Sequence, residues 1–547
     1  MQLHTYEMNK EYQKNVAYFS MEFAIHQALK IYSGGLGFLS GSHMRSCYDL
    51  KQNVVGIGIL WSFGYYDQAR DEDRNLRIEF RRKKYYFLED LNVKVHVQIN
   101  GKDVVVTAYL VPPELFGSAP LILLSTDNEE NDYLSRTITH KLYDPNEETR
   151  VAQEIVLGIG GVRVLEALKY HIDIYHMNEG HSFPLVFELY KKHYKNKETL
   201  REAVRFTTHT PEAAGNEVHN IHLLQRMGYF AKHDLKSVRE LTEINNDDFS
   251  LTLGALRTAK IANAVSKLHG EVANEMWKDY PNICEIISIT NAQNKRFWAD
   301  KPLVRALDEH EYFELIARKK HMKKILFDIV ANQTGKMLDP EILTIVWARR
   351  FVEYKRPGLL KLDFERFQKL VTREERPIQV IWAGKPYPHD THAISMFNDL
   401  AYMSKTFKRV AVLIGYELEL SRVLKQGADI WLNTPRITRE ASGTSGMTAA
   451  MNGAINFSIN DGWFPEFCKD GINSFTILGA DHTLPIEEQD KKDNKSMLDR
   501  LENEIIPLYY DDQEQWEKIM KNSMEDVLFE FDSGFMAHMY YKKLYNL

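Results

Sequence analysis

The sequence predicts an α/β protein in which two Rossmann-like domains face a cleft. Short apolar runs alternate with helical stretches along the chain, which is typical of parallel sheets. This alternation occurs twice, before and after Asn291, and 547 residues suffice for two or more domains with a large core. We therefore predict domains at residues 1–291 and 292–520, and a C-terminal helix at 521–547 that packs back on the body.

Composition excludes several classes of function. Apolar residues make up 44% and charged residues 27%, and a net charge of −7 is too mild to indicate a nucleic-acid or acidic-lipid partner. The three cysteines lie far apart and match no metal-binding spacing, so we expect no metal. No apolar run is long enough for a membrane span, and the start shows no secretory signal. We therefore expect a cytoplasmic protein that contacts no membrane.

The first series of strands ends in polar residues. Apolar runs predict strands at residues 16–23, 54–57, 93–97, 104–109, 121–124, 172–177, 204–208 and 286–289. Glu179 and His181, His209, and Asn291 follow three of these strands, and ligands of parallel sheets bind beyond the carboxyl ends of strands. Each residue taken singly is more typical of a helix cap or a hydrogen-bonded loop. Together they occupy the strand ends at which parallel sheets bind ligands.

Two further segments of the first series are interpreted from composition and pattern. The glycine-rich segment 32–41 predicts a turn before a helix at 43–50, and hence a candidate anion site. The highly charged segment 70–84 predicts a solvated loop. A helical pattern covers residues 148–170.

The second series has a basic cluster after its first strand. Strands are predicted at 343–347, 378–382, 410–414, 430–432 and 455–459, with helices at 359–371, 417–426 and 516–547. Arg350 and Lys355 follow the first of these strands closely. Two cations at a strand end make a strong phosphate site when a glycine-rich helix start lies nearby. The alternative is a surface basic cluster paired with Glu353.

The segment from Glu440 to Gly453 supplies such a helix start. It follows the strand at 430–432, passes through small residues and glycine, and turns helical at 447–451. A glycine-rich turn that enters a helix leaves backbone N–H groups free to bind phosphate. The alternative is a tight turn that binds nothing. Glu440 is placed to accept a hydrogen bond from a sugar hydroxyl, or else to stabilise the helix start by its charge.

Six motifs occur in order along the chain: residues 33–37, 178–181, 207–210, 290–291, 348–356 and 440–444. In these motifs the chain resembles the α-glucan (glycogen, starch, maltodextrin) phosphorylase family in its short form, from residue 18 to about residue 466. The resemblance implies the GT-B glycosyltransferase architecture. It also implies an enzyme of carbohydrate metabolism, a homodimer, that moves glucosyl units between phosphate and the non-reducing ends of α-1,4-glucans with retention of configuration.

The resemblance also implies site residues. The expected catalytic residues are His209, Arg350, Lys355 and Glu440. The expected substrate-binding residues, for the glucan and for phosphate or glucose 1-phosphate, are Gly34, Gly35, Gly37, Glu179, His181, Asn291, Ser442 and Gly443. The expected cofactor- and phosphate-binding residues are Arg349, Arg350, Lys355, Trp298, Tyr416, Gly443, Thr444 and Thr448. The cofactor of the family is pyridoxal phosphate.

Thr448 departs from the family pattern. The family attaches pyridoxal phosphate to a lysine at this position, and a threonine hydroxyl cannot form a Schiff base. Pyridoxal phosphate is therefore expected to bind without a covalent bond at most. One alternative is a glucosyltransferase that places a nucleotide sugar in the same site. The other is a catalytically silent glucan-binding protein, although such a protein needs no phosphate site.

Overall fold

The structure is a computed structural model that describes residues 3–194 and 196–547. The chain folds into two compact units. The N-terminal unit comprises Met1–Tyr66, Phe80–Asn291 and Ser533–Leu547, and the C-terminal unit comprises Asp67–Glu79 and Ala292–Asp532. Each unit contains parallel strands and helices, which confirms the predicted α/β class.

The N-terminal unit is built on one large sheet. The strands up to Asn291 are β1 Val16–Phe19, β2 Val54–Ile59, β3 Asp67–Arg70, β4 Leu76–Glu79, β5 Glu89–Ile99, β6 Lys102–Val111, β7 Leu121–Ser125, β8 Ile174–Asn178, β9 Val204–Thr207, β10 Val218–Asn220, β11 Asp248–Ser250, β12 Ile261–Ala264 and β13 Glu285–Ser288. Within the described residues, nine of them form a sheet in the order β13-β12-β9-β8-β1-β2-β7-β6-β5. All its pairs are parallel except β7–β6 and β6–β5.

The helices before Asn291 connect these strands. They are α1 Gly35–Asp49, α2 Pro113–Phe116, α3 Tyr133–Thr137, α4 Glu147–Ile155, α5 Gly161–Ala167, α6 Pro184–Leu189, α7 Lys197–Ala203, α8 Ile221–Met227, α9 Leu235–Thr242, α10 Leu251–Thr258 and α11 Lys267–Trp277. The chain leaves β1 toward β2 on one side and later places β8 on its other side. The carboxyl ends of β1 and β8 therefore flank a topological switch point, where α/β sheets bind ligands.

The glycine-rich segment 32–41 is not a turn before a later helix. Helix α1 already begins at Gly35, eight residues before the predicted start. A Cβ on Gly37 would lie 2.7 Å from Cβ of Tyr32, and one on Gly41 would lie 2.2 Å from the carbonyl oxygen of Ala24. These two glycines therefore permit close packing of the helix. The glycine-rich sequence that predicted a turn reflects this packing.

The C-terminal unit has a fully parallel sheet. Its strands are β14 Leu343–Ala348, β15 Ile378–Ala383, β16 Val410–Leu413, β17 Ile430–Asn433, β18 Ile455–Ile459 and β19 Ser474–Ile477. Within the part of the chain described, six strands pair in the order β16-β15-β14-β17-β18-β19. This is the Rossmann order, with its switch point between β14 and β17. Both β14 and β15 are buried along their whole length, because covered parallel sheets need continuous apolar strands.

The remaining helices follow in chain order. They are α12 Lys295–Trp298, α13 Lys301–Asp308, α14 Tyr312–Thr334, α15 Phe364–Thr372, α16 Thr391–Ser404, α17 Leu418–Gly427, α18 Ser445–Ala450, α19 Phe464–Phe467, α20 Ile486–Arg500, α21 Ile506–Asp511, α22 Gln513–Glu530 and α23 Ser533–Tyr540. The boundary predicted between residues 520 and 521 lies inside α22. Helix α23 belongs to the N-terminal unit, where the Tyr545 hydroxyl that follows it lies 2.7 Å from Nδ1 of His176.

The charged segment 70–84 is not wholly a solvated loop. Strands β3 and β4 pair as an antiparallel hairpin that belongs to the C-terminal unit. The side-chain amide of Gln68 donates to the Gly384 carbonyl at 2.9 Å, and its oxygen accepts from the Tyr416 N–H at 3.1 Å. Leu76 joins the hydrophobic core of the unit. The charged residues around these anchors concealed the hairpin from a pattern analysis.

Across residues 3–194 and 196–547, no helix has both the length and the apolar character required to cross a membrane.

Candidate active site

The switch point of the C-terminal sheet carries a buried charge cluster. Arg349 follows β14 directly, and Glu440 lies in the segment after β17, which is the neighbour of β14. One guanidinium nitrogen of Arg349, Nη2, lies 2.8 Å from Oε2 of Glu440. Nζ of Lys355 lies 3.1 Å from both carboxylate oxygens of Glu440. The structure thus brings three predicted site residues into one cluster.

Arg349 retains hydrogen-bonding capacity. Its side chain is only 6% exposed, and its Nε and Nη1 atoms are buried without a hydrogen-bond acceptor among the residues described. Buried donors are normally satisfied, because leaving one unpaired costs about 1–3 kcal/mol. Each of the two unsatisfied nitrogens keeps an N–H donor that can bind an oxygen of a phosphate or carboxylate.

The charges in the cluster perturb one another. Burial lowers the pKa of Lys355 to about 7, and neighbouring Arg349 adds to this effect while Glu440 opposes it. Burial disfavours ionisation of Glu440, but Arg349 and Lys355 outweigh it and hold its pKa below the ordinary value. Glu440 is therefore an anion at neutral pH, and Lys355 exchanges its proton close to neutrality.

The turn that presents Glu440 depends on two features. Gly443 has φ 82°, and a Cβ there would lie 3.2 Å from Cγ of Glu440. The carboxylate of Asp461 accepts the backbone N–H groups of Glu440 at 2.9 Å and of Arg439 at 3.1 Å. Burial, opposed by these hydrogen bonds, raises the pKa of Asp461 to about 7. Sequence reasoning missed Asp461, an acid two residues beyond the end of β18.

Three further expected site residues belong to the same unit but differ in exposure. Arg350 is exposed, yet its charge contributes to lowering the pKa of both Lys355 and Glu440. Ser442 is 6% exposed, and its Oγ has no partner among the residues described. Tyr416 is buried, and its hydroxyl donates to the Ala348 carbonyl at 3.2 Å.

Helix α18 begins at Ser445, two residues before the predicted start, and Thr444 immediately precedes it. Thr448 is 1% exposed, and its hydroxyl donates to the Ser445 carbonyl at 3.0 Å. Trp298 is also fully buried, and its carbonyl accepts from the side-chain amide of Asn452 at 2.9 Å. This amide also donates to the Thr448 carbonyl at 2.8 Å, so Trp298 is bonded to the helix that carries Thr448.

The switch point of the N-terminal sheet is built around neutral groups. Asn178, the last residue of β8, donates from its side-chain amide to Oγ of Ser20 after β1 at 3.1 Å. The oxygen of the same amide lies 2.7 Å from Nε2 of His209, which follows β9. Burial lowers the pKa of His209 to about 3, with His269 and His181 contributing. His209 is therefore a neutral imidazole whose orientation is fixed by Asn178.

Glu179 fixes the loop that carries His209. Its carboxylate accepts the N–H of His209 and, at 3.1 Å, the hydroxyl of Thr210. Burial raises the pKa of Glu179 despite these hydrogen bonds. Its backbone has φ 72° and ψ 174°, a region almost restricted to glycine. Glu179, which was expected to bind the substrate, thus uses its carboxylate to position the loop that carries His209.

Asn291 and His181 keep unpaired polar atoms in the N-terminal unit. Asn291 is 3% exposed, and its Oδ1 has no hydrogen-bond donor within the residues that the structure describes. The same holds for Nδ1 of His181, whose pKa burial lowers to about 3. Both atoms remain suited to bind polar groups of a ligand.

The expected glycines Gly34 and Gly35 adjoin open space, since a Cβ on either meets nothing within 4 Å. The N–H groups of Ser33 and Gly34 are taken by Oε2 of Glu22, at 2.6 Å and 3.1 Å. The Tyr143 hydroxyl donates to Oε1 of Glu22 at 2.7 Å. Sequence reasoning missed Glu22, because residues 16–23 were predicted as one strand that contains it, whereas β1 ends at Phe19.

One group of potential metal ligands lies outside these clusters. Glu154, Glu217 and His219 place one ligand atom each within 4.8 Å of one another. Glu217 forms an ion pair with Arg150, and Nδ1 of His219 lies 2.8 Å from a carboxylate oxygen of Glu147. Two of the three side chains therefore already have charged partners.

The chain is similar to known carbohydrate phosphorylases. A model of the carbohydrate phosphorylase family matches residues 281–538. The chain is 31% identical to a maltodextrin phosphorylase of Thermococcus litoralis, over 98% of this chain and 71% of that protein. It is 32% identical to a glycogen phosphorylase of Aquifex aeolicus, over 98% and 86% of the two chains. It is also 46% identical to an uncharacterized protein of Methanocaldococcus jannaschii, over 97% and 100% of the two chains.

Proposed function

Because this chain belongs to the carbohydrate phosphorylase family, we propose that it transfers glucosyl units between phosphate and the non-reducing ends of α-1,4-glucans. The single observation that carries this proposal is the pair of unsatisfied Arg349 nitrogens beside Lys355 and Glu440. The proposal includes the GT-B architecture, with the two units facing a cleft, and a homodimer. Light scattering during gel filtration would test the homodimer.

Each unit contributes a different part of the reaction in this proposal. Arg349 and Lys355 bind the phosphate group by charge-assisted hydrogen bonds. Glu440, held as an anion, accepts a hydrogen bond from a glucose hydroxyl. In the N-terminal unit, neutral His209 lies beside the glucosyl group, and the unpaired Asn291 oxygen accepts a second sugar hydroxyl.

Phosphorylases of this family use pyridoxal phosphate, and the residues present fit part of it. When bound, this cofactor supplies its phosphate group to the reaction. The unsatisfied nitrogens of Arg349 and the turn at Gly443 and Thr444 fit such a phosphate. Thr448, whose hydroxyl is bonded within its own helix, does not fit a covalent link to the aldehyde.

The proposal is tested by incubating the protein with maltoheptaose and inorganic phosphate, with and without added pyridoxal phosphate, and measuring glucose 1-phosphate. We expect glucose 1-phosphate to form. We expect Lys355→Met to lower kcat by about 100-fold, as loss of one preorganised charge does in comparable sites. The exposed Lys408→Met is the matched control and should retain full activity.

Two other results would replace the proposal. Glucosyl transfer from ADP-glucose or UDP-glucose without phosphorolysis would establish a nucleotide-sugar enzyme. Glucan binding with neither reaction would establish a binding protein.

A further inference from the structure

A buried lysine lies beside the expected cofactor site. Lys425, on α17, is 1% exposed, and its Nζ lies 3.9 Å from the ring centroid of Trp298. Burial moves the pKa of Lys425 well below the ordinary lysine value. A lowered pKa raises the fraction of the neutral amine, and neutral lysine amines are the nucleophiles that form Schiff bases.

Lys425 occupies the face of α17 that points to the other expected aromatic residue. Ser421 and Lys425 are four residues apart and therefore neighbours on one helix face. Oγ of Ser421 lies 3.4 Å from the hydroxyl of Tyr416. One face of α17 thus contacts both Tyr416 and Trp298, the two aromatic residues assigned to the cofactor site.

Lys425 and Thr448 approach Trp298 from adjacent helices. Asn452, one turn after Thr448, binds the Trp298 carbonyl at 2.9 Å and the Thr448 carbonyl at 2.8 Å. Nζ of Lys319 donates at 2.8 Å to the carbonyls of both Gln426 and Asn452. This amino group therefore links the residue after Lys425 to the segment just after the helix that carries Thr448, and holds the two helices together.

We propose that Lys425 supplies the primary amine that residue 448 lacks, and that it binds the aldehyde of pyridoxal phosphate covalently. This inference rests on the function proposed above. The Nζ lone pair attacks the aldehyde carbon and forms a C–N bond. Two protons leave the nitrogen, the aldehyde oxygen departs as water, and a C=N bond remains, so no oxidant or reductant is needed.

Chemical trapping tests this assignment without reference to activity. The full-length protein is incubated with pyridoxal phosphate, reduced with borohydride, digested and analysed by mass spectrometry. We expect one pyridoxyl phosphate group, on the peptide that contains Lys425. Adducts spread over surface lysines, or no adduct, would overturn the proposal.

Variants separate the proposal from a purely structural role of Lys425. Lys425→Met keeps the side-chain length and should lose the adduct, whereas Lys408→Met should keep it. Adding Thr448→Lys to Lys425→Met should restore an adduct, now at position 448, if both helices serve one cavity. Locating the adduct in the wild-type protein tests the proposal even if Lys425→Met fails to fold.

Failure of this inference differs from failure of the proposed function. Phosphorolysis without an adduct would retain the function and remove the role of Lys425. An adduct at Lys425 without phosphorolysis or any phosphate-dependent turnover would support the role of Lys425 and contradict the proposed function.

Discussion

The carboxyl ends of the parallel strands in the two sheets differ in how their polar groups are satisfied. In the C-terminal unit, Arg349, Lys355 and Glu440 form a charged cluster in which guanidinium nitrogens remain unpaired. In the N-terminal unit, Asn178 and Glu179 use their polar atoms to hold His209, which burial keeps neutral. In the proposed function, the cationic cluster binds the phosphate group, whereas the N-terminal site binds the uncharged sugar.

The largest expected effect comes from a substitution that disrupts the anion site. Arg349→Ala should weaken binding of inorganic sulfate by about 10- to 150-fold, because hydrogen bonds to charged groups contribute about 1.5–3 kcal/mol each. Isothermal titration calorimetry measures this affinity. The matched control is Arg376→Ala, which removes a half-exposed arginine paired with Asp511 and should leave sulfate binding unchanged. Equal loss in both variants would contradict a specific role for Arg349.

The second prediction tests whether the N-terminal site is positioned by strain. Glu179→Gly and Glu179→Ala both lose the carboxylate that holds His209, but only glycine accepts φ 72° freely. The glycine variant should therefore be more stable than the alanine variant by about 1–3 kcal/mol in chemical denaturation.

Glu212 provides the matched site for this comparison. Its backbone has φ −128°, which any residue adopts, so Glu212→Gly should be no more stable than Glu212→Ala. If alanine were the more stable substitution at residue 179 as well, the backbone there would carry no strain.

The smallest expected effect is a pH dependence confined to the anion site. The pKa of Lys355 is about 7 in the folded protein, below the ordinary value, so its ammonium loses a proton as the pH rises through about 7. An anion favours the protonated form, so sulfate affinity should fall from pH 6 to pH 8 by about three- to tenfold. Sulfate itself does not titrate in this range.

Two variants identify the group responsible. Lys355→Arg should give a flatter profile, because arginine stays charged. Asp461, whose pKa is also about 7, becomes an anion over the same range and acts in the same direction. Asp461→Asn should remove only the part of the pH dependence that Asp461 causes. A profile unchanged by Lys355→Arg would assign the whole effect to Asp461.

The sequence predicted most of the strands that carry the sites. β14, β15, β17 and β18 were found to within one residue, because buried parallel strands are continuous apolar runs. β12 was missed, since its sequence Ile-Ala-Asn-Ala is short and half alanine. The β3–β4 hairpin was missed because its anchors, such as Gln68, depend on residues more than three hundred positions away.

The sequence indicated which side chains lie at the strand ends but not their hydrogen-bond partners. The location of Arg349 and Glu440 followed from strand ends, which a linear pattern reveals. The use of Glu22 and Asp461 as acceptors of backbone N–H groups required knowledge of which loops meet in space. The glycines were misread for a related reason. Gly37 and Gly41 are required for close packing of a helix, but a glycine-rich sequence also predicts a turn.

The path of the chain between the units limits how they can be separated. The polypeptide passes from one unit to the other after Tyr66, Glu79, Asn291 and Asp532. A cut at Asn291 would leave the β3–β4 hairpin on one fragment and its docking surface on the other, and would detach α23 from its own unit. Neither half is therefore a self-sufficient module, and shuffling them between homologues as simple N- and C-terminal blocks would exchange incomplete parts.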